Sequence, residues 1–387
     1  MERLPEDVIK PLRLSIDILG RSNIYIWNND SMRNKIRVVY MMVLFIVFFI
    51  SVALYTIQIF SEEVPISEVA FQISTFLFLI HATCKAILIL RNRTNIVTLI
   101  EKIGDTWRIY NINEQQIRNK EFLFQRLNFC LKVYYTGSMI TVWTNAFAPI
   151  IIYLGKLAMG QNINPLLPFG CVIPFDPLKD WFRYILAYVF EMYAILCFLY
   201  IYIGTEILMV TLCALLSVEF AILKVDITLV KPDNSSIKSL VRKHQQLLVY
   251  IGLLDKIFNK IIFLDLLFVT VVMCLCGFAV TMANNVVDCV KNVLCVLSLL
   301  VPVYIFCYFS EQLKQECADI AQAAYNSKWY NVSVSYKRII CFIITRAQKP
   351  CCLTSLQYVP ITLNTFFKVV STSWSYYSVI RTVYGDK

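Results

Sequence analysis

Seven stretches of this chain are too apolar to face water along their length: about Val38 to Phe60, Val69 to Leu90, Phe129 to Leu154, Tyr184 to Leu216, Ile261 to Ala283, Val293 to Phe309 and Leu356 to Val383. A helix needs roughly 20 such residues to cross a hydrocarbon core, and only helices or closed barrels satisfy every backbone polar group in lipid. With 10 Gly and 12 Pro in 387 residues, the chain is too poor in turn formers for a loop-rich barrel. The runs therefore predict an all-α, polytopic membrane protein with seven transmembrane helices. Composition agrees, at 58% hydrophobic and 16% charged residues, against about 25% charged in soluble proteins.

Charge between the runs sets an orientation. The segments before the first crossing and after the second, fourth and sixth hold 27 Lys and Arg, whereas 61–68, 155–182 and 284–292 hold 3. Basic residues stay on the cytoplasmic side, so the N-terminus is expected inside and, after an odd number of crossings, the C-terminus outside. This topology also accounts for the net charge of +10, which is not gathered into the aromatic-studded stripe of a nucleic-acid binder. Sequons at Asn29, Asn92, Asn234 and Asn331 all fall on the expected inner side and should carry no glycan.

The polar opening of the chain reads as lacking a cleaved signal, so the first crossing is expected to target the membrane. Leu4, Val8, Leu12, Ile16 and Leu19 recur at helical spacing, which suits either a surface-lying lead-in or a helix packed on the bundle. Residues 219–260 and 310–345 keep helical periodicity without lipid-like hydrophobicity and read as helices projecting into the cytosol. The resulting division is 1–37 as a cytoplasmic N-terminal segment, 38–309 as crossings one to six with their extensions, 310–350 as a cytoplasmic anchor helix, and 351–387 as the last helix with an outer tail. Most of the fourteen cysteines lie inside apolar runs and act as small hydrophobes; Cys171 and Cys289 fall in outer segments, where a bridge is conceivable. Cys351 and Cys352 follow Pro350 at the inner face, where acylation competes with simple burial.

Enzyme signatures are missing. The chain has two histidines, His81 and His244, and neither a His-Glu-x-x-His motif, a Gly-rich phosphate loop nor a Gly-x-Ser-x-Gly elbow. No catalysis, metal or cofactor is expected. His81 and Lys85 stand one turn apart in the second crossing, and Glu191, Glu206 and Asp265 interrupt others. Such groups are either functional or form structural pairs, with Lys85 also able to snorkel to the membrane edge.

Ser371, Ser375, Ser378 and Thr382 recur at i, i+4, i+7 and i+11, placing a hydroxyl stripe on one face of the seventh crossing, with Val379 and Val383 beside it. A ring of such helices would make a polar lumen with apolar collars that gate by dewetting. Close helix packing through small polar residues explains the stripe equally well.

The tail carries further detail: Arg346-Ala347-Gln348-Lys349-Pro350, Leu353-Thr354, Tyr358-Val359-Pro360-Ile361-Thr362-Leu363, and Ser375-Tyr376-Tyr377-Ser378-Val379-Ile380-Arg381. Over these residues the chain resembles the C-terminal signature of insect odorant receptors, and Ala324-Tyr325 with Trp329-Tyr330 is similar to that family's cytoplasmic helix before the pore. The resemblance implies an odorant-gated, nonselective cation channel subunit in the plasma membrane of olfactory sensory neurons, assembled as a heterotetramer with an odorant co-receptor. It further implies a seventh segment broken at Pro350, with Ser375 on the pore face and Val379, Thr382 and Val383 in the gate and outer filter region. Arg381 and Tyr384 depart from the co-receptor's tail, and the short link between crossings four and five points to a tuning subunit.

It implies also that a small volatile organic ligand binds in the outer half of the bundle. The helical faces expected there are Ile73, Phe76, Leu77 and Ile80 from the second crossing and Thr136, Met139, Ile140 and Trp143 from the third. The fourth offers Tyr188, Met192 and Ile195, and the sixth Asn292, Cys295 and Val296. Three rivals are weaker. A G-protein-coupled receptor would place its N-terminus outside and carry Asp-Arg-Tyr and Asn-Pro-x-x-Tyr boxes, a gustatory-receptor-like channel would show a different tail, and a transporter would show inverted repeats.

Overall fold

In the computed structural model the described residues are 4–27, 32–61, 64, 66–108, 112–160, 167–177, 179–230, 233–282, 286–349 and 351–384, with the side chains of 66, 67, 234, 288, 331, 383 and 384 excepted. In chain order the elements are α1 (Glu6–Arg21), α2 (Met32–Ile59), α3 (Ile66–Arg91), α4 (Arg93–Thr106), α5 (Glu114–Ala158), α6 (Trp181–Leu229), α7 (Asn234–Thr281) and α8 (Val286–Asn326). A 3-10 turn at Trp329–Asn331 leads to α9 (Val334–Ala347), a small hairpin of β1 (Thr354–Ser355) and β2 (Val359–Pro360), and α10 (Leu363–Tyr384).

Six helices among the described residues are long and apolar enough to cross a membrane, and they carry the first six predicted crossings. The cytoplasmic helices expected over 219–260 and 310–345 are largely extensions of the crossings: α6 runs on to Leu229, α7 starts at Asn234 and continues into the fifth crossing, and α8 runs on to Asn326, at 49, 48 and 41 residues, while α9 stands as a separate helix. None of the three has a proline where the surface turns polar, Pro302 of α8 lying within the apolar run, so the backbone ladder propagates there. Ends are set locally. Asp233 accepts from the amides of Ser235 and Ser236 at 3.2 Å to start α7, and Gln116 turns back onto the Asn113 amide at 2.8 Å to start α5.

Residues 201–223 of α6 form an unbroken buried run, so this helix is the post around which the others stand. Its apolar residues face every direction, as suits a helix enclosed on all sides. The amphipathic α1 packs on it through Val8, Leu12, Ile18 and Leu19, which settles the lead-in as part of the bundle. Contact is close because Gly204 lacks a side chain: a Cβ there would meet Leu19 at 2.7 Å. By contrast, α2 turns Val39, Val43, Ile46, Val47, Ile50 and Leu54 outward. Such a continuous exposed apolar face suits lipid and no aqueous solvent.

The last predicted crossing becomes α10, which starts at Leu363 and not Leu356. Leu356 and Gln357 take φ of 50° and 66° in the tip of the hairpin, and β2 ends on Pro360, so a helix cannot form there. Asp255 of α7 accepts from the Thr354 amide at 2.6 Å, and Ser310 of α8 donates to the Ile361 carbonyl at 2.9 Å, pinning the hairpin to both helices. The predicted break at Pro350 and the sequon at Asn29 lie outside the described residues.

Candidate ligand site

A cavity lies where α3, α5, α6, α7 and α8 converge, at the end of the bundle nearest the connection between α5 and α6. Its volume is about 110 Å³. That is below the roughly 150 Å³ of an engineered cavity that takes up benzene, so a one-ring occupant must push side chains outward.

Helical periodicity builds the wall. From α3 come Phe71, Ser74, Thr75 and Phe78; from α5 come Ser138, Thr141, Val142 and Asn145. Ile195, Leu199 and Tyr202 of α6, Phe268 and Val272 of α7, and Cys295, Ser298 and Leu299 of α8 complete the ring, with Phe169 as the cap. Most hydroxyls donate back to their own helices: Ser74 to Ala70 at 2.8 Å, Thr75 to Phe71 at 3.1 Å and Ser298 to Cys295 at 2.8 Å. Their donors are thus occupied and their oxygens remain as acceptors. Asn145 is oriented by donation from Nδ2 to the Thr141 carbonyl at 2.8 Å, leaving its Oδ1 buried without a partner among the described residues. An orphaned acceptor in an apolar wall is costly unless something donates to it.

Residues 167–177 tie the cap down. Glu191 of α6, buried, accepts from the Phe169 amide at 3.1 Å and the Cys171 thiol at 2.7 Å. Gln72 of α3 donates to the Gly170 carbonyl at 3.3 Å, and Ser51 of α2 donates to that of Val172 at 2.8 Å. Gly170 sits at φ +60°, and a Cβ there would collide with the Tyr55 ring. Cys171 is thereby committed to Glu191, and all fourteen cysteines are free.

Beneath the cavity four of the five ionisable residues singled out in the sequence come together, Glu191 being held at the cap. Lys85 is fully buried and pairs with Glu206 of α6 and, at 2.6 Å, with Asp265 of α7, whose Oδ1 also lies 2.9 Å from His81 Nε2. Lys85 does not snorkel. Its ammonium lies 4.2 Å from the centre of the Tyr202 ring, and His81 stacks on Phe268 with centroids 4.4 Å apart. Since Tyr202 and Phe268 also line the cavity, the charged cluster is its floor. The cluster joins three helices in a medium where an unpaired charge costs at least about 2.5 kcal/mol.

Of the fourteen ligand residues expected from sequence, Ile195 and Cys295 line this cavity. Ile73, Phe76 and Leu77 are half-buried on a neighbouring face of α3, and Ile80 is exposed. Met139, Ile140 and Trp143 line a shallow outward groove with Phe147, Trp143 being 44% exposed, and Thr136 is exposed. Tyr188 donates to the Ala146 carbonyl at 2.5 Å; Met192 and Asn292 are buried and Val296 half-buried outside the lining. The cavity is walled by the four helices named for the ligand site together with α7, mostly through faces other than those named. A usable signal existed: Ser138, Thr141 and Asn145 form a polar stripe at i, i+3 and i+7, and polar residues in a membrane helix face protein. On α10, Ser371, Ser375, Ser378, Val379 and Thr382 are all exposed in the single chain, whereas Val383 has no described side chain.

Comparison with known proteins places this geometry. Residues 65–374 match the profile of the family described as 7tm Odorant receptor. Odorant receptor 85c of Drosophila melanogaster is 23% identical over 318 residues, covering 79% of this chain and 80% of that one. Odorant receptor 13a of the same fly is 26% identical over 258 residues, 61% of each chain. The solved structure of the insect olfactory receptor OR5 from Machilis hrabei in complex with eugenol superposes with a TM-score of 0.82 at 16% identity, covering 98% of this chain and 100% of that one.

Proposed function

The chain belongs to the odorant receptor family, and from that premise we propose that it is the odorant-binding subunit of a ligand-gated cation channel, working with a co-receptor in the plasma membrane of sensory neurons. It is a multi-pass membrane receptor and not an enzyme. The observation that carries the ligand reading is a cavity walled by Phe71, Phe78, Tyr202 and Phe268 with a single orphaned acceptor, Asn145 Oδ1. Its occupant is a small aromatic or branched volatile carrying one O–H donor, an alcohol or phenol. Eugenol, bound in the solved Machilis relative, has this chemistry. Of the residues expected from sequence, Ile195 and Cys295 touch the ligand, and Trp143, Ile140 and Met139 face lipid or a neighbouring subunit.

Four copies of α10 line the conduction path in this reading, with Ser375 and Thr382 toward the lumen and Val379 and Val383 as collars. Support comes from a helix that, among its described side chains, fully buries only Thr365, Val369 and Ser373 against its own bundle and leaves the hydroxyl stripe uncovered. Ligand biases opening only through its higher affinity for the open arrangement, so a tight binder indifferent to state blocks the channel. The test is to record currents evoked by phenols and alcohols with and without a co-expressed co-receptor. Robust evoked cation current with the co-receptor is expected. A response carried instead by a G-protein cascade, with no ligand-gated conductance in excised patches, would overturn the reading.

A further inference from the structure

Two sulfurs from different helices meet at the wall of the cavity. The Cys276 thiol of α7 lies within hydrogen-bond reach of Cys295 Sγ on α8, at 3.5 Å, and of the Ser74 hydroxyl on α3, at 3.8 Å. Ser74 donates its own proton to the Ala70 carbonyl, so toward Cys276 it is an acceptor. The two thiols differ in access. Cys276 is buried behind the wall, whereas Cys295 is half-buried and lines the cavity. No second thiol, amine or imidazole stands among the lining residues, so Cys295 is the one soft nucleophile that an occupant meets. Asn145, buried and unpartnered at Oδ1, independently marks the same cavity as built for an occupant.

We propose that the cavity is also a covalent capture site for small α,β-unsaturated carbonyl compounds, with Cys295 as the nucleophile and Cys276 as the positioning residue that donates to its sulfur. Capture rests on the reading of this cavity as the ligand site. Cys295 Sγ forms a bond to the β carbon, the π pair of the C=C bond moves to the α carbon, and the thiol proton of Cys295 ends on that carbon. Nothing is oxidised and nothing leaves, so the step needs no co-reactant. Negative charge develops on the sulfur as its proton departs, and a hydrogen bond from Cys276 stabilises it there.

The unsaturation sets the class. A saturated aldehyde of the same size has no electrophilic β carbon, and with no amine in the wall its carbonyl has no partner for an imine, so it binds reversibly. Enclosure supplies what an apolar wall withholds from a thiol, because an occupant held against Cys295 reacts at a high effective concentration. A captured ligand stays when the free compound is removed. Its effect on the receptor therefore outlasts the stimulus, whereas that of an alcohol ends on washout.

The experiment exposes full-length receptor, co-expressed with a co-receptor, to crotonaldehyde, with butanal as the saturated control. Adducts are fixed with borohydride and mapped thiol by thiol by mass spectrometry, and alcohol-evoked current is recorded before treatment and after washout. The expected result is an adduct on Cys295 that forms about tenfold faster than on Cys289, which is also half-buried on α8 but outside the lining. Evoked current should change at least twofold and stay changed after washout, and butanal should do neither. Phenol in excess should slow labelling of Cys295 and leave that of Cys289 alone. C276A should slow capture about tenfold, the worth of one hydrogen bond to a developing charge, and C276S, which keeps a donor, should restore most of the rate. Mapping of the wild-type receptor resolves each thiol, so the test stands even if a cysteine variant fails to reach the membrane. Labelling of Cys295 no faster than of Cys289, or indifferent to phenol, overturns the capture site. Equal rates in C276A and wild type overturn the role of Cys276, and an adduct that leaves current as it was overturns the lasting response. A selective adduct in a receptor that gave no alcohol-evoked current before treatment supports capture and counts against the channel reading alone.

Discussion

Helices α6 and α10 belong to one bundle, yet they complete themselves in opposite ways. Along α6 residues 201–223 are buried on all sides, and several of its polar groups find partners within the chain: Glu206 on Lys85, Glu191 on the cap, Thr205 on the Ile201 carbonyl. Helix α10 buries only a strip at four-residue spacing and leaves Phe367, Trp374, Tyr376 and Val379 outside. The first is finished by folding and the second awaits an environment that this chain does not contain. Under the proposed function this contrast is a division of labour, with recognition organised around α6 and conduction depending on assembly around α10. Substitutions near α6 should therefore be read out as lost fold or altered ligand response, and those on α10 as altered current with the fold intact.

The sharpest break of the contrast is at the floor of the cavity. Lys85→Met removes the cation shared by Glu206 and Asp265 and strands two carboxylates in the bundle. Truncating one partner of a buried ion pair costs about 3–5 kcal/mol. The variant is expected to be lost from the cell surface, measured by surface biotinylation, with the thermal transition of detergent-solubilised protein lowered. Adding Glu206→Gln and Asp265→Asn should recover most of the loss, because no buried charge then remains. If Lys85→Met alone keeps wild-type stability, the cluster is not what joins α3, α6 and α7.

A smaller loss is expected at the cap. Gly170→Ala forces a Cβ onto a left-handed backbone and into Tyr55. Strain of this kind costs about 1–3 kcal/mol, which the cap can relieve by lifting Phe169 away from the cavity. Surface delivery should persist while the response to every ligand weakens. Equal weakening of ligand response and of surface level would place the damage in the bundle as a whole.

How much of this was legible in the sequence divides along the same line. Hydropathy located the helices that carry the first six crossings, since burial from water writes itself along twenty residues at a time. The tail motif carried the family. Rotation was less legible. Trp143 and Asn145 are two residues apart, about 200° around a helix, and hydrophobicity drew attention to Trp143 although lipid welcomes the same residues as a cavity does. The polar stripe of Ser138, Thr141 and Asn145 is the face that turns into the cavity. Pairing of Lys85 with Glu206 and Asp265, over 100 residues away, depends on tertiary contact that no local pattern encodes.

Within the cavity, Asn145→Leu should discriminate ligands. Oδ1 is the unpartnered acceptor, and losing one hydrogen bond to a donor ligand costs about 1.4 kcal/mol, or tenfold in half-maximal concentration. Alcohols and phenols should lose that factor while their methyl ethers change little. A uniform shift for both classes would mean that Asn145 shapes the wall without contacting the ligand.

The smallest effect on stability, and the one that tests the other half of the comparison, is expected from Val379→Ala. Val379 is 61% exposed in the single chain, so removing two methyl groups touches no core and should change folding stability by less than about 0.5 kcal/mol. In an assembled pore the same methyls narrow an apolar collar, and shortening them eases wetting of the closed channel. The variant should reach the membrane normally and pass more current at rest, with ligand half-maximal concentration unchanged or lower because the open state has become less costly. A truncation of comparable size on α6, Leu212→Ala, falls in a fully buried position and should cost about 2–5 kcal/mol with no selective effect on resting current. Were Val379→Ala to destabilise the protein as Leu212→Ala does, or to leave resting and evoked currents alike, α10 would be packed like α6 and the pore would have to be sought on another helix.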